Sequence, residues 1–126
     1  MGAVWESVVV DAQDPGRLAR WWAEALRYQV TEESPDEVEI RHKPAEPPAL
    51  IFVTVPDAKK LKNRLHIDPR PDDQEAEVER LVDMGARHVD VGQRPTDGWV
   101  VLADPEGNEF CVLAASPRPG AGSRPR

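Results

Sequence analysis

Cysteine is almost missing from this chain: Cys111 is the single one in 126 residues, so no intrachain disulfide staples the fold. Basic side chains are outnumbered, 16 against 23 acidic, for a net charge of −7. A phosphate-binding surface needs a basic excess, so nucleic acid is not an expected partner. No run of about 18 apolar residues exists, so no membrane-spanning segment is expected. The opening Met1-Gly2-Ala3-Val4-Trp5-Glu6 lacks the basic-then-apolar order of a signal peptide, and a cytoplasmic location is expected. Tyrosine and phenylalanine are scarce, at one and two, but there are four tryptophans.

What is present is organised by two helix starts. Trp5 to Val10 is an apolar run that predicts a buried strand, ending at Asp11. Asp14-Pro15 predicts a helix start, since the carboxylate caps free amides and proline tolerates the first turn. Leu18, Trp21, Trp22 and Ala25 then share one helix face. Strands are expected over Tyr28–Glu32, Glu37–His42 and Ala49–Val55, the second alternating Val38 and Ile40 against Glu37, Glu39 and Arg41. A basic linker with Lys59, Lys60, Lys62 and Arg64 follows. Leu65–Asp68 is read as a strand, and Asp72 with Glu75 as a capping box opening a second helix. Val78, Leu81 and Val82 form that helix's apolar stripe, and Gly85 ends it. Strands are expected over His88–Val91, Trp99–Ala103 and Glu109–Ala114, with a tight turn at Asp104-Pro105-Glu106-Gly107-Asn108.

The order is β-α-β-β-β twice. Ser7 falls on His66, Asp14 on Asp73, Trp22 on Leu81 and Val30 on Val89, a constant offset of 59 residues. The expectation is an α+β fold of two paired βαβββ modules forming a curved mixed-sheet cup, in one domain over 1–115 with modules of about 4–56 and 62–115. The remaining Ser116–Arg126 holds three arginines and almost no apolar side chains. It cannot offset its ordering entropy, so it is expected to be disordered.

Three stretches carry a resemblance. They are Asp14-Pro15 with Leu18-Ala19-Arg20-Trp21-Trp22, then Lys62 to Asp68, then Trp99 through Asp104-Pro105-Glu106-Gly107-Asn108-Glu109-Phe110-Cys111. In this order and spacing the chain resembles the vicinal oxygen chelate superfamily, in its glyoxalase-like branch, over residues 4 to 115. That superfamily includes isomerases, dioxygenases, thiol transferases, epimerases and drug-binding proteins, so the resemblance implies the fold and not a reaction. Its metal-using members place inward ligands on the first and last strands of each half. Carried over position by position, that pattern meets Ser7, Val53 or Thr54, His66 and Cys111. His66 is the match. A divalent ion needs three or four protein donors, so the pattern implies a cup that has lost its metal and no cofactor. The alternative is a His66, Asp68 and Cys111 set, conceivable chemistry for zinc.

His66 is the candidate acid–base or hydrogen-bonding group. Asp68, two residues on, points to the same side and can orient it or act as a base. The ligand-binding candidates are Trp5, Ser7, Trp22, His66, Trp99 and Cys111, the tryptophans as flat walls for an aromatic ligand. Lys59 and Lys60 read as a solvated linker; Asn63 and Arg64 as a brace between halves, and the cluster as a clamp for an anion. The leading expectation is metal-independent binding of a small aromatic or anionic molecule. The competing one is a lyase or isomerase using His66, with or without a metal. A third is a non-catalytic interaction module, and the resemblance implies a homodimer.

Overall fold

Two aspartates, Asp14 and Asp73, open the two helices, and each accepts a backbone N–H three residues on, from Arg17 and Ala76, at 3.1 Å. A computed structural model describes residues 2–94 and 96–115. The expected disorder of Ser116–Arg126 lies outside the described residues. The chain divides into two compact units, Met1–Ala58 and Lys59–Arg126.

The first unit runs β1 (Ser7–Ala12), α1 (Pro15–Leu26), β2 (Gln29–Ser34), β3 (Glu37–Arg41) and β4 (Ala49–Thr54). Its sheet is mixed, ordered β1-β4-β3-β2, with β1 and β4 parallel. The α1 stripe packs on β3 and β4. Leu18 and Trp22 are buried there together with Ile40 and Phe52. The first strand begins two residues later than expected and is not fully buried. Register places Val8 beside Leu50 and Val10 beside Phe52, on the covered face. Ser7, Val9 and Asp11 therefore take the opposite face, where Val9 is exposed.

The second unit holds α2 (Gln74–Asp83), β5 (Arg87–His88), β6 (Val100–Ala103) and β7 (Glu109–Val112), in a sheet ordered β5-β6-β7. Gly85, at φ 113°, closes α2 in a Schellman arrangement: its N–H donates to the Val82 carbonyl and that of Ala86 to Leu81, both at 3.0 Å. The cap is Asp73 rather than Asp72, as the 59-residue offset from Asp14 requires.

Two expectations need correction here. The strand over Leu65–Asp68 is an extended segment without a full ladder. Cys111 and Leu113 donate their N–H groups to the carbonyls of Ile67 (3.1 Å) and Pro69 (2.9 Å), so the segment runs parallel to β7. The alternating bond of a parallel pair would come from the N–H of residue 69, and Pro69 has none. The strand over His88–Val91 shrinks to Arg87–His88. Asp90 accepts the Gly92 N–H and Gln93 the Val91 N–H, both at 2.8 Å, which turns the chain away from the sheet.

Candidate functional site

The extended segment beside β7 sets up one cluster. Residues 66 and 68 share a side of that segment, and the Cys111 bond to Ile67 brings β7 alongside them. His66 Nδ1 lies 2.6 Å from Asp68 Oδ1, with the imidazole 16% exposed. Facing an ionised carboxylate, Nδ1 acts as the donor of this bond, which leaves Nε2 as the ring's other polar atom. The donor atoms of His66, Asp68 and Cys111 all lie within 4.8 Å of one another. Burial pushes the Cys111 thiol up to about 12, with the Asp68 charge adding to the shift and Lys62 opposing it. At neutral pH it is a protonated, buried thiol and no nucleophile. A thiol reagent at pH 8 is expected to label the native chain on the order of 100-fold more slowly than the urea-unfolded chain; equal rates would show that Cys111 is accessible.

The segment bearing His66 is anchored by a group that sequence reasoning missed. Glu109 accepts from Lys59 Nζ at 2.9 Å and from the Asn63 N–H at 2.8 Å. Burial raises the Glu109 carboxyl, but the Asn63 N–H and the Lys59 ammonium outweigh it, and the net shift is downward. Lys59 is thus no solvated linker residue; its side chain is 18% exposed. The one available signal was parity, since Glu109 shares a strand face with the buried Cys111.

The other ligand candidates fall differently. Trp99 is half-buried just before β6, and Ser7 is half-buried at the start of β1. Trp5 precedes the strand and is 65% exposed. Trp22 is core filling: it is 3% exposed and meets Trp21 edge-to-face at 5.0 Å. A second polar group on the first unit's sheet also escaped the sequence reading. Glu39 accepts from the Thr31 hydroxyl (2.7 Å) and from Arg41 Nε (2.8 Å), and Arg41 reaches Glu6 at 2.8 Å. The Arg41 bond, then the Thr31 bond, hold the Glu39 carboxyl below its ordinary range. A depressed carboxyl contributes stability that is present above the unfolded glutamate's pKa and lost as pH falls through the folded value. Glu39→Gln is expected to flatten the acid limb of a pH–stability curve below about pH 4.5; an unchanged limb would contradict this.

The turn after β6 holds a buried carboxylate, Asp104, 1% exposed. It accepts the N–H groups of Glu106 (2.9 Å) and Asn108 (3.0 Å) and the Asn108 side-chain amide (2.9 Å). Gly107 closes the loop at φ 88°, which favours glycine. These motif residues therefore shape the hairpin that delivers Cys111 and leave the chemistry to the His66 cluster.

The glyoxalase-like domain pattern matches residues 7–113. No curated protein sequence matches the chain at a significant level. Among solved structures, a glyoxalase/bleomycin resistance protein/dioxygenase family enzyme from Burkholderia phytofirmans PsJN is similar at TM-score 0.67 and 16% identity, over 88% of this chain and 98% of that one. Protein ATC0852 from Agrobacterium tumefaciens is similar at TM-score 0.70 and 14% identity, over 92% and 100%. A bleomycin-binding protein from Streptomyces verticillus, complexed with copper(II)-bleomycin, is similar at TM-score 0.59 and 16% identity, over 92% and 99%. The helix-capped repeat, the mixed sheet and the Asp104 turn lie inside the matched span, and the chain belongs to the glyoxalase-like domain family of the vicinal oxygen chelate superfamily.

Proposed function

We propose that this protein binds a small anionic molecule through the His66–Asp68 pair and needs no metal to do so. One observation carries the reading. Asp68 holds Nδ1 of a largely covered imidazole at 2.6 Å, and Nε2 has no hydrogen-bond partner among the described residues. An oriented ring whose other nitrogen is open can donate from Nε2 to an anionic ligand oxygen once the ring carries its second proton. The Lys62 charge reaches the same cluster, since it opposes the rise of the Cys111 thiol. A ligand bearing a carboxylate, phosphate or enolate would meet that charge. One protein of similar fold is described as bleomycin-binding, which is a precedent for binding and does not assign a ligand. The test is a thermal-shift panel of small carboxylates, phosphates and aromatic acids on protein dialysed against a chelator. At least one compound is expected to raise the melting temperature; a panel without a hit overturns the proposal.

A second reading is favoured by the donor set. His66, Asp68 and Cys111 offer nitrogen, oxygen and sulfur within 4.8 Å of one another, a combination suited to zinc. Such an ion would supply Lewis acidity for a lyase or isomerase reaction. The chain's own part would be to give up the Nδ1 and thiol protons and to hold the three donors in place. Cobalt(II) titration separates the readings, because a thiolate ligand produces an intense charge-transfer band. Stoichiometric uptake with that band, lost in Cys111→Ser, favours the metal; its absence favours the metal-free anchor.

A further inference from the structure

In the second unit, the loop that leads into the His66 segment carries the most exposed large apolar side chains among the described residues. Leu61 is 83% exposed and Leu65 81%. Lys60, Lys62 and Arg64 are interleaved with them and are exposed too. None of these three cations has an ion-pair partner among the described residues, whereas the neighbouring Lys59 is held by Glu109. Residues 58–67 contain no acidic side chain. The charge of this stretch is therefore opposite in sign to the chain's net −7. Acidic groups farther off than about 8 Å are screened at physiological salt and offset it little.

The loop is also held in place. One oxygen of Glu109 accepts from Lys59 Nζ at 2.9 Å and the other from the Asn63 N–H at 2.8 Å. Beyond the loop, the carbonyls of Ile67 and Pro69 tie the chain to β7. A partner thus meets a loop that is already ordered, and little conformational entropy is lost on contact. The composition selects the partner. A protein interface gathers its apolar side chains in a core and leaves charge at the rim. Here each leucine is flanked by a cation in sequence. An anionic bilayer suits that interleaving, because charged headgroups and the acyl boundary lie within about 10 Å of depth across its whole surface. Such a loop lies on the membrane and needs no spanning segment, and no helix among the described residues is long and apolar enough to cross one.

We propose that the loop over residues 60–65 docks this protein reversibly on anionic lipid membranes, with Leu61 and Leu65 entering the headgroup boundary and Lys60, Lys62 and Arg64 meeting the charged headgroups.

The test is co-sedimentation of the full chain with two kinds of vesicle at physiological ionic strength, phosphatidylcholine alone and phosphatidylcholine mixed with phosphatidylserine. Each basic side chain near an anionic surface raises partitioning roughly fivefold. Binding is expected to be at least about tenfold stronger on the serine-containing vesicles and to fall as salt is added. K60Q/R64Q is expected to weaken it roughly 25-fold. L61S/L65S keeps every charge and is expected to weaken it on the order of tenfold. All four side chains are exposed, so both variants keep the fold. Equal binding to the two vesicle types, binding to neither, or full binding by either variant overturns the proposal. A chain that is dimeric in solution and becomes monomeric in L61S/L65S also overturns it, because a second copy then covers the leucines.

Discussion

His66→Ala is expected to weaken ligand binding by about 2 to 3 kcal/mol, roughly 30- to 150-fold, the worth of one hydrogen bond to a charged group in a covered site. The fold should survive it. His66 sits on an extended segment held by backbone bonds at Ile67 and Pro69 and by Glu109, none of which involves the imidazole. Asp68→Asn keeps the size and one acceptor oxygen but removes the charge, and about a tenfold loss is expected from the less firmly oriented ring. His66→Gln should recover part of the binding, because its amide can meet the same ligand oxygen. Isothermal titration with the best compound from the panel measures all three. If His66→Ala binds as tightly as the unaltered chain, the anchor lies elsewhere.

The second large effect is on stability. Asp104→Ala removes the buried acceptor of two backbone N–H groups and one side-chain amide in a part-buried turn. A fully buried unpaired donor costs about 1 to 3 kcal/mol, and these half-buried donors cost toward the lower end, so three of them together give a net loss of about 3 kcal/mol. For a chain of this length that lowers the melting temperature by about 10 °C. Asp104→Asn keeps one oxygen and should lose less. Calorimetry decides: a shift of a degree or two for Asp104→Ala would mean that the turn holds by its backbone bonds alone, from Gly107 to Asp104 and between Asp104 and Asn108.

Local chemistry was readable before the structure. The first cap follows from Asp14-Pro15, whereas the second was expected one residue early, at Asp72, and falls on Asp73; the side shared by His66 and Asp68 follows from a two-residue step. The Asp104 turn follows from its proline and glycine. What escaped reading depends on partners distant in sequence. Glu109 and Lys59 are 50 positions apart, and nothing local marks the pair. Glu39 and Arg41 look like the solvent side of an alternating strand, yet they are covered because Thr31 and Glu6 complete a network with them. The missing ladder beside β7 was legible in principle, since a proline at position 69 withholds the donor that pairing requires. The exposed Val82 was not legible, because its cover depends on the length of β5.

The central claim is that Nε2 of His66 is the atom that meets the ligand, without a metal. Long-range nitrogen–proton NMR of the ring, recorded in the presence of a chelator while the panel compound is added, tests it most directly. The expected result is a ring protonated on Nδ1 throughout, with Nε2 gaining a proton as the anion binds and its resonance moving in step with ligand saturation. A saturated protein whose Nε2 resonance stays in place, or moves only after a divalent metal is restored, would contradict it.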